Sequence, residues 1–275
     1  MIDVVSKAIP DSRQFIAIVL AGDRTNSDPV AIDAGVSCKA IAPICGKPMI
    51  LRVLDALEGS ELVKSIVICG PSQTSIDDCP DLKQRVQQAN ISWVPNLDSP
   101  SKSVESALEK VSNDEHVLLT TADHALLQSE IVDYFLSESL NTRADACVGL
   151  VEYKMIVEKL PEVKRTVIKL RDGGVCGCNL FTFMNVKGRK LIPFWRQVEQ
   201  SRKRPARMIA GILGASGVLM YLLGLLSMDK ALTKISRRLQ FEVKAVRLPY
   251  AHAGVDVDTA EDRRLVEKII ANSEN

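Results

Sequence analysis

The stretch that decides the fold runs from Phe15 to Ile50 and reads FIAIVLAGDRTNSDPVAIDAGVSCKAIAPICGKPMI. Its first six residues are apolar and are followed by Ala21-Gly22, which predicts a strand that is buried on both faces. A long polar loop containing Arg24 then leads to Lys39 and to a helical pattern. A strand that ends at a glycine, before a cationic loop and a helix, is how α/β proteins hold phosphates, because backbone N–H groups and positive charges converge there.

Strands and helical patterns alternate beyond this stretch. Further strands are predicted for four apolar runs, at 64–70, 91–95, 116–122 and 144–152. Such alternation predicts a largely parallel sheet that binds ligands at the carboxyl ends of its strands. Asp123 follows the third of these runs and should lie at the same edge of the sheet as Gly22. An ionised aspartate there is costly unless it is paired or binds a cation, which favours a functional role.

Three blocks of sequence resemble the signature of nucleotidyltransferases of the molybdenum-cofactor guanylyltransferase (MobA-like) type. The blocks are Leu20-Ala21-Gly22 with Lys39 and Gly46-Lys47-Pro48-Met49, then 119–124, and finally 255–262. They occur in the family's order and span most of the chain. This sequence departs from the pattern at Asp23, which stands where the family has its second glycine, and in the longer loop before Lys39.

The resemblance implies one nucleotidyltransferase domain over 1–275, with 187–239 as a helical insertion before the last strands. The closing strand would end in Asp256 and Asp258. The implied fold is a three-layer α/β sandwich with a mixed, mostly parallel central sheet, as in GT-A nucleotide-diphospho-sugar transferases. The implied reaction joins the nucleoside monophosphate of a triphosphate, CTP or GTP, to a phosphorylated small molecule or lipid and releases pyrophosphate. The implied cofactor is Mg²⁺.

The resemblance also nominates the residues of the site. Asp123 and Asp258 would bind magnesium, with Asp256 as second choice beside Asp258; alternatively, Asp256 and Asp258 only help to cap the last helix. Arg24 and Lys39 would neutralise the triphosphate and act with Asp123 in catalysis. The nucleotide would be bound by Leu20, Ala21, Gly22, Lys102 and Ser103. Alternatively, Ser101 or Ser103 only caps the helix that starts there.

A second basic pattern suggests where the acceptor binds. Arg165, Lys169 and Arg171 occur at even spacing in the sequence RTVIKLR. In an extended strand these side chains share one face, which could meet an acceptor phosphate or could be a solvated outer surface. Asn179, in the next predicted strand, is a further candidate contact for the acceptor.

Composition narrows the range of partners and compartments. The chain has 275 residues, 46% of them hydrophobic, and a formal net charge of +1, so it has no overall attraction to nucleic acid. Seven cysteines, and no leader of the signal-peptide kind within the first ten residues, predict a protein of the reducing cytoplasm.

Residues 208–228 contain no charged residue and follow a basic cluster of Arg202, Lys203, Arg204 and Arg207. Their length alone would suffice for a membrane span. A span would, however, place 241–258 across the membrane from Asp123 and divide the site. Two alternatives remain for this segment. It is buried in the protein or in a homodimer interface, or 202–228 lies on the inner face of the membrane with the basic cluster against anionic lipid.

Two other functions fit the same sequence. GT-A glycosyltransferases use nucleotide sugars on the same fold, although the segment at Asp123 lacks the second nearby aspartate that is usual for them. The altered glycine loop is also compatible with a non-catalytic nucleotide-binding or membrane-associated partner protein.

Overall fold

The computed structural model describes residues 15–22, 28–200, 214 and 216–273, with the side chains of 197–200 left out. The strands of this part of the chain are β1 Phe15–Leu20, β2 Pro43–Ile44, β3 Lys47–Pro48, β4 Val63–Cys69, β5 Ile91–Val94, β6 His116–Thr121, β7 Ala146–Glu152, β8 Ile168–Leu170, β9 Gly173–Phe183 and β10 Val243–Arg247.

The helices of the same part of the chain lie between and after these strands. They are α1 Pro29–Ala34, α2 Met49–Glu58, α3 Gln73–Asp77, α4 Pro80–Arg85, α5 Pro100–Leu108, α6 Ser129–Thr142, α7 Tyr153–Lys159, α8 Val186–Arg189, α9 Leu191–Gln200, α10 216–222, α11 Met228–Leu239 and α12 Ala260–Ser273.

The central sheet of the described residues has eight strands, in the order β10-β7-β9-β6-β1-β4-β5, and β8 pairs with β9. β1 is parallel to β4 and β6, and β10 is parallel to β7. β9 is antiparallel to both of its main neighbours, β6 and β7. The predicted mixed, mostly parallel sheet is therefore confirmed.

β1 lies inside the sheet, between β6 and β4, and separates two apolar cores. Phe15, Ala17 and Val19 join the larger core, to which α2 and α6 contribute, whereas Ile16 and Ile18 join a smaller core with α5 and α9. Successive side chains of a strand point to opposite faces, so a strand covered on both sides must be apolar at every position. This explains why the run from Phe15 to Leu20 is apolar at every position.

The carboxyl ends of three parallel strands lie level with one another. Leu20 pairs with Cys69 of β4 and with Thr121 of β6. The loops that follow then pack tightly. A Cβ atom on Gly22 would lie 2.6 Å from the Cβ of Asn96, and one on Gly70 would lie 2.8 Å from the nitrogen of Gly22. Glycine at these two positions lets the loops approach each other at the edge of the sheet.

The structure corrects the prediction that the segment after β1 is a loop as far as Lys39. The helix α1 interrupts it, and its cap is Asp28, whose Oδ1 accepts a hydrogen bond from the Val30 N–H at 2.9 Å. Gly35 ends the helix in the left-handed conformation, with a φ of 65°. These are ordinary helix-start and helix-stop residues, and Pro29 at the first helical position adds a further start signal.

Two predicted strands differ in the structure. The strand predicted at 165–171 is only Ile168–Leu170, so Arg165 precedes it and does not share a strand face with Lys169. The strand predicted to end at Asp256 and Asp258 does not form. Instead, this segment crosses the end of β6, where the Val257 N–H donates to the Asp123 carbonyl at 3.1 Å. β10 already occupies the edge of the sheet beside β7. The segment at 255–258 therefore extends past the ends of the strands and does not pair with a strand.

The described residues of 187–239 lie in the helices α8 to α11, apart from Lys190 and 223–227, which form turns and irregular chain. Residues 208–213 and 215 of the uncharged run, and the basic cluster before it, lie outside the described residues. No described helix has both the length and the apolar character needed to cross a bilayer.

Candidate active site

A cleft of about 500 Å³ opens at the carboxyl ends of β1 and β6. It brings together predicted site residues from four distant parts of the sequence. Those that line it are Leu20, Ala21, Gly22, Lys39, Asp123, Asn179, Asp256 and Asp258. The first residue of α5, Pro100, also lines the cleft. The position of the cleft agrees with the rule that α/β sheets bind ligands beyond the carboxyl ends of their strands.

Lys39 joins two acidic residues that line the cleft. Its Nζ donates to Asp123 Oδ2 at 2.7 Å and to Asp258 Oδ1 at 2.9 Å. The Lys39 side chain is 14% exposed and that of Asp123 is 21% exposed, whereas Asp258 is 66% exposed at the mouth. Because one ammonium contacts both carboxylates, Asp123 and Asp258 are close neighbours although they are far apart in sequence.

The ion pair is charged at neutral pH. Burial alone would lower the pKa of Lys39, but the two neighbouring carboxylates outweigh it and raise that pKa. Burial would likewise raise the pKa of Asp123. The charge of Lys39 and the hydrogen bonds from Lys39 and Thr121 outweigh this effect and hold that pKa below its usual range. The Thr121 hydroxyl lies 2.5 Å from Asp123 Oδ1.

These donors suit a magnesium ion that arrives with a nucleotide. Asp123 and Asp258 offer carboxylate oxygens, the ligands that Mg²⁺ prefers, and the lysine ammonium between them shows that the pair accepts a cation. Within 15–22, 28–200, 214 and 216–273, no group of three or more His, Cys, Asp or Glu side chains is arranged as a metal centre. Two protein carboxylates are enough for Mg²⁺, which usually completes its shell with water and substrate phosphates.

Asp256 has different partners from Asp258. It forms an ion pair with Arg165, in which both oxygens accept hydrogen bonds, and its Oδ2 also accepts from Asn179 Nδ2 at 2.9 Å. Its side chain is only 11% exposed. The structure thus groups the second-choice metal ligand with two predicted acceptor residues, and Asp256 neutralises the charge of Arg165.

The start of α5 approaches the cleft differently from the prediction. Its cap is Ser99, rather than Ser101 or Ser103, and the Ser99 Oγ accepts from the Lys102 N–H at 3.4 Å. Ser103 is buried and its Oγ accepts a hydrogen bond from the Leu97 N–H at 2.8 Å. Lys102 is half-exposed and pairs with Asp98. Neither Lys102 nor Ser103 is among the described residues that line the cleft.

Two predicted residues are not among the cleft residues that the structure describes. Lys169 is exposed on the edge strand β8 and is not among the described cleft residues. Arg24 lies outside the described residues, so its predicted role in neutralising the triphosphate remains a prediction. Thr259, at the start of the last helix, caps α12. It exchanges hydrogen bonds with Asp262, whose N–H donates to the Thr259 Oγ1 at 3.1 Å.

A family model described as the MobA-like NTP transferase domain matches residues 17–207. The chain belongs to this family. The family predicted from the sequence is therefore confirmed, and with it the assignment of the chain as a nucleotidyltransferase. A comparison with curated proteins gives no match.

Solved structures share the fold of this MobA-like chain. A hypothetical transferase from Thermus thermophilus is 32% identical, with a TM-score of 0.76 over 91% of this chain and 99% of that chain. A 4-diphosphocytidyl-2C-methyl-D-erythritol synthase from Anaerococcus prevotii is 14% identical, with a TM-score of 0.58 over 95% and 100%. A CMP:2-keto-3-deoxy-manno-octonic acid synthetase complexed with CTP is 12% identical, with a TM-score of 0.55 over 94% and 100%. The predicted fold is confirmed.

Sequence reasoning missed an aromatic pair in the cleft of this MobA-like domain. Trp195 of α9 stacks on Phe181 of β9, with ring centroids 6.4 Å apart and an interplanar angle of 24°. Both residues line the cleft. Helix α9 is held against α5 by an ion pair between Arg196 and Glu105. Apolar periodicity in α9 could have predicted a packed helix, but the sequence contains no signal that this helix reaches the site.

Proposed function

We propose that this protein is a magnesium-dependent nucleotidyltransferase that joins a nucleoside monophosphate to a phosphorylated acceptor. The observation that carries the proposal is the contact of Lys39 with both Asp123 and Asp258, at the mouth of a cleft that begins at Ala21-Gly22. Here a cationic side chain, a pair of carboxylates and a closely packed main chain converge, as the handling of a triphosphate requires.

In the proposed reaction, a phosphate oxygen of the acceptor attacks the α-phosphorus of the nucleoside triphosphate. A new P–O bond forms, the bond between the α-phosphorus and the bridging oxygen to the β-phosphate breaks, and pyrophosphate leaves with the electron pair. Such a reaction needs little covalent help from the protein. It needs reactants in line and positive groups where negative charge develops.

Each residue of the cleft then has a proposed task. Asp123 and Asp258 would hold Mg²⁺, which supplies charge neutralisation at the triphosphate when it is bound. Lys39, together with Arg24, would neutralise the triphosphate and the departing pyrophosphate. The main chain at Leu20, Ala21 and Gly22 would approach the nucleotide closely, because these residues line the cleft and Gly22 has no side chain to exclude it.

Ser103 would affect nucleotide binding indirectly, by supporting the loop before α5. Its hydroxyl holds the main chain of Leu97, next to Asn96, which packs on Gly22. Lys102, on the exposed side of the same helix, would add positive charge near the phosphates. The acceptor would bind beyond Asp123, where Asn179 lines the cleft and is held by Asp256. Arg165 and Lys169 would meet the acceptor phosphate, Arg165 after exchanging part of its pairing with Asp256.

The nucleotide is proposed to be CTP or GTP. The name of one structural neighbour refers to a diphosphocytidyl product, and another neighbour was solved with CTP, which supports CTP. The acceptor would be a phosphorylated small molecule or a lipid phosphate. We further propose a cytoplasmic location. Besides its substrates, the chain would contact a second copy of itself in a homodimer, or the membrane surface through 202–228.

The reaction can be tested by identifying products. The purified chain is incubated with Mg²⁺, each of the four nucleoside triphosphates and a panel of sugar phosphates and lipid phosphates, and pyrophosphate is measured. Pyrophosphate that appears with a nucleotidylated acceptor, and that Asp123→Asn abolishes, is the expected result. Absence of pyrophosphate throughout the panel, or undiminished release by Asp123→Asn, would refute the assignment.

The same experiment, run in parallel with nucleotide sugars, separates the two alternatives. A GT-A glycosyltransferase would release nucleoside diphosphate from the nucleotide sugar rather than pyrophosphate from the triphosphate. A non-catalytic nucleotide-binding protein would show a magnesium-dependent rise in melting temperature with a triphosphate but no product.

A further inference from the structure

Four leucines form an exposed apolar face on α10 and the turn after it. Leu219, Leu222, Leu223 and Leu225 are 57%, 74%, 61% and 50% exposed. We call these four residues the leucine face. They make up four of the nine large apolar side chains that the described part of the chain exposes, and they fall within seven consecutive positions. Single exposed apolar residues are common, but a cluster of this kind marks an interaction surface.

The leucine face is fixed to the folded domain. The carbonyl of Leu226 accepts a hydrogen bond from the Arg171 N–H at 2.9 Å, and the Met228 N–H donates to the Asp172 carboxylate at 3.1 Å. Leu226 and Met228 are both buried. Lys234 of α11 donates to the Ser216 hydroxyl at the start of α10, at 2.8 Å. The chain is therefore held on both sides of the face. Leu219, Leu222 and Leu223 are three and four positions apart, and the Leu223 N–H donates to the Leu219 carbonyl at 3.0 Å, so the three lie on one side of α10 and its following turn.

The helix that follows the leucine face, α11, is rich in positive charge. It contains four cations, Lys230, Lys234, Arg237 and Arg238, and one acidic residue, Asp229, and its Lys234 contacts the start of α10. In the sequence between Gln200 and Met228 there is no aspartate or glutamate. The surface thus combines exposed leucines with a cationic neighbourhood.

This combination decides between two occupants. A second copy of the chain, paired face to face, would bring two cationic α11 helices together, and their like charges would repel. An anionic lipid surface accepts both features, because apolar side chains enter the boundary of the acyl chains while lysine and arginine meet the headgroups.

We propose that the leucine face, together with the cations of α11, docks the protein on an anionic bilayer. The inference deepens the proposed membrane contact by naming the leucines and the α11 cations that would make it. The docking surface is separate from the catalytic cleft. Membrane docking can therefore be refuted while nucleotidyl transfer is confirmed, and the reverse also holds.

The test is flotation of the purified full chain with vesicles, compared between two lipid compositions. Vesicles of phosphatidylcholine with an equal amount of phosphatidylglycerol should carry the protein upward, whereas vesicles of phosphatidylcholine alone should carry much less. Raising the salt concentration should weaken the interaction, since the headgroup contribution is screened. If the native chain does not float with the phosphatidylglycerol vesicles, the proposal is wrong.

A matched pair of variants locates the contact. Leu222→Glu with Leu223→Glu should lower binding at least tenfold, while Val157→Glu, on the exposed face of α7, should bind like the native chain. Equal melting temperatures of the three proteins would exclude unfolding as the cause. Binding that the double variant retains would overturn the proposal. So would a native dimer that the double variant converts to a monomer and that binds no vesicles, because the leucine face would then belong to a second copy of the chain.

Discussion

Lys39 donates a hydrogen bond from its Nζ to Asp123 Oδ2 at 2.7 Å, across 84 positions of sequence. The same nitrogen contacts Asp258 at 2.9 Å. In the structure, the ammonium occupies the place between two carboxylates that a divalent cation would share. Lys39 therefore has two relationships to the proposed chemistry. In the proposed reaction it would compete with a cation for the carboxylates, and it would supply positive charge to the phosphates.

Replacing this lysine should separate the two roles. Lys39→Met is expected to lower pyrophosphate release by roughly 100-fold or more, the usual effect of removing a charge-stabilising donor. It should also tighten the binding of Mg²⁺ in the absence of nucleotide, because the two carboxylates lose their internal counter-ion. Calorimetric titration with Mg²⁺ measures the second effect. Lys47→Met, which removes a lysine paired with Asp55 outside the cleft, is the control, and weaker Mg²⁺ binding by Lys39→Met would contradict this explanation.

The two aspartates near the end of the chain should respond differently to neutralisation. Asp256→Asn leaves the Arg165 guanidinium, which is 17% exposed, without its carboxylate, and breaking such a buried pair costs about 3 kcal/mol of unfolding free energy. Asp258→Asn, at a more exposed position, should change stability little and should weaken binding of the magnesium–triphosphate complex. Urea unfolding and ligand titration measure the two effects. If Asp256→Asn kept the native stability but lost the metal, Asp256 rather than Asp258 would be the metal ligand.

Ser103 should matter mainly for the stability of the loop at the start of α5. Ser103→Ala removes the acceptor of the Leu97 N–H and is expected to cost about 1 kcal/mol of unfolding free energy. The KM for the triphosphate should rise only slightly, because the side chain does not line the cleft. Ser106→Ala, in the same helix, serves as the control. A large rise in KM at unchanged stability would instead show direct contact with the nucleotide.

Much of the fold could be predicted because it depends on local patterns. The fully apolar run of β1 predicted its burial on both faces, and the strand before Asp123 predicted that this carboxylate lies level with Gly22. The meeting of Lys39 with Asp258 was not predicted as a contact, because it depends on how the 3-10 turn at Lys39–Ile41 and the segment before α12 cross the end of the sheet. The sequence likewise gave no sign that Asp256 pairs with Arg165 or that Trp195 reaches the cleft, since each contact joins segments whose packing is set by the whole domain.

The glycine at position 22 should be required for close packing of the loops. Gly22→Ala places a methyl group 2.6 Å from the Cβ of Asn96, so one loop must move. We expect a lower melting temperature and weaker triphosphate binding, measured by thermal shift with and without ligand. Asn96→Gly removes all three of the clashing atoms, which belong to the Asn96 side chain, and should restore much of the binding in the double variant. No rescue would mean that Gly22 matters for another reason.

The central claim is that Asp123 and Asp258 together hold the divalent cation of the triphosphate. Electron paramagnetic resonance of Mn²⁺, titrated into the protein with a saturating triphosphate, tests it most directly because it counts bound metal without requiring an acceptor. We predict one triphosphate-dependent Mn²⁺ site in the native chain, weakened at least tenfold by Asp123→Asn and by Asp258→Asn but not by Asp256→Asn. An unchanged Mn²⁺ site in Asp123→Asn, or one lost only in Asp256→Asn, would contradict the claim.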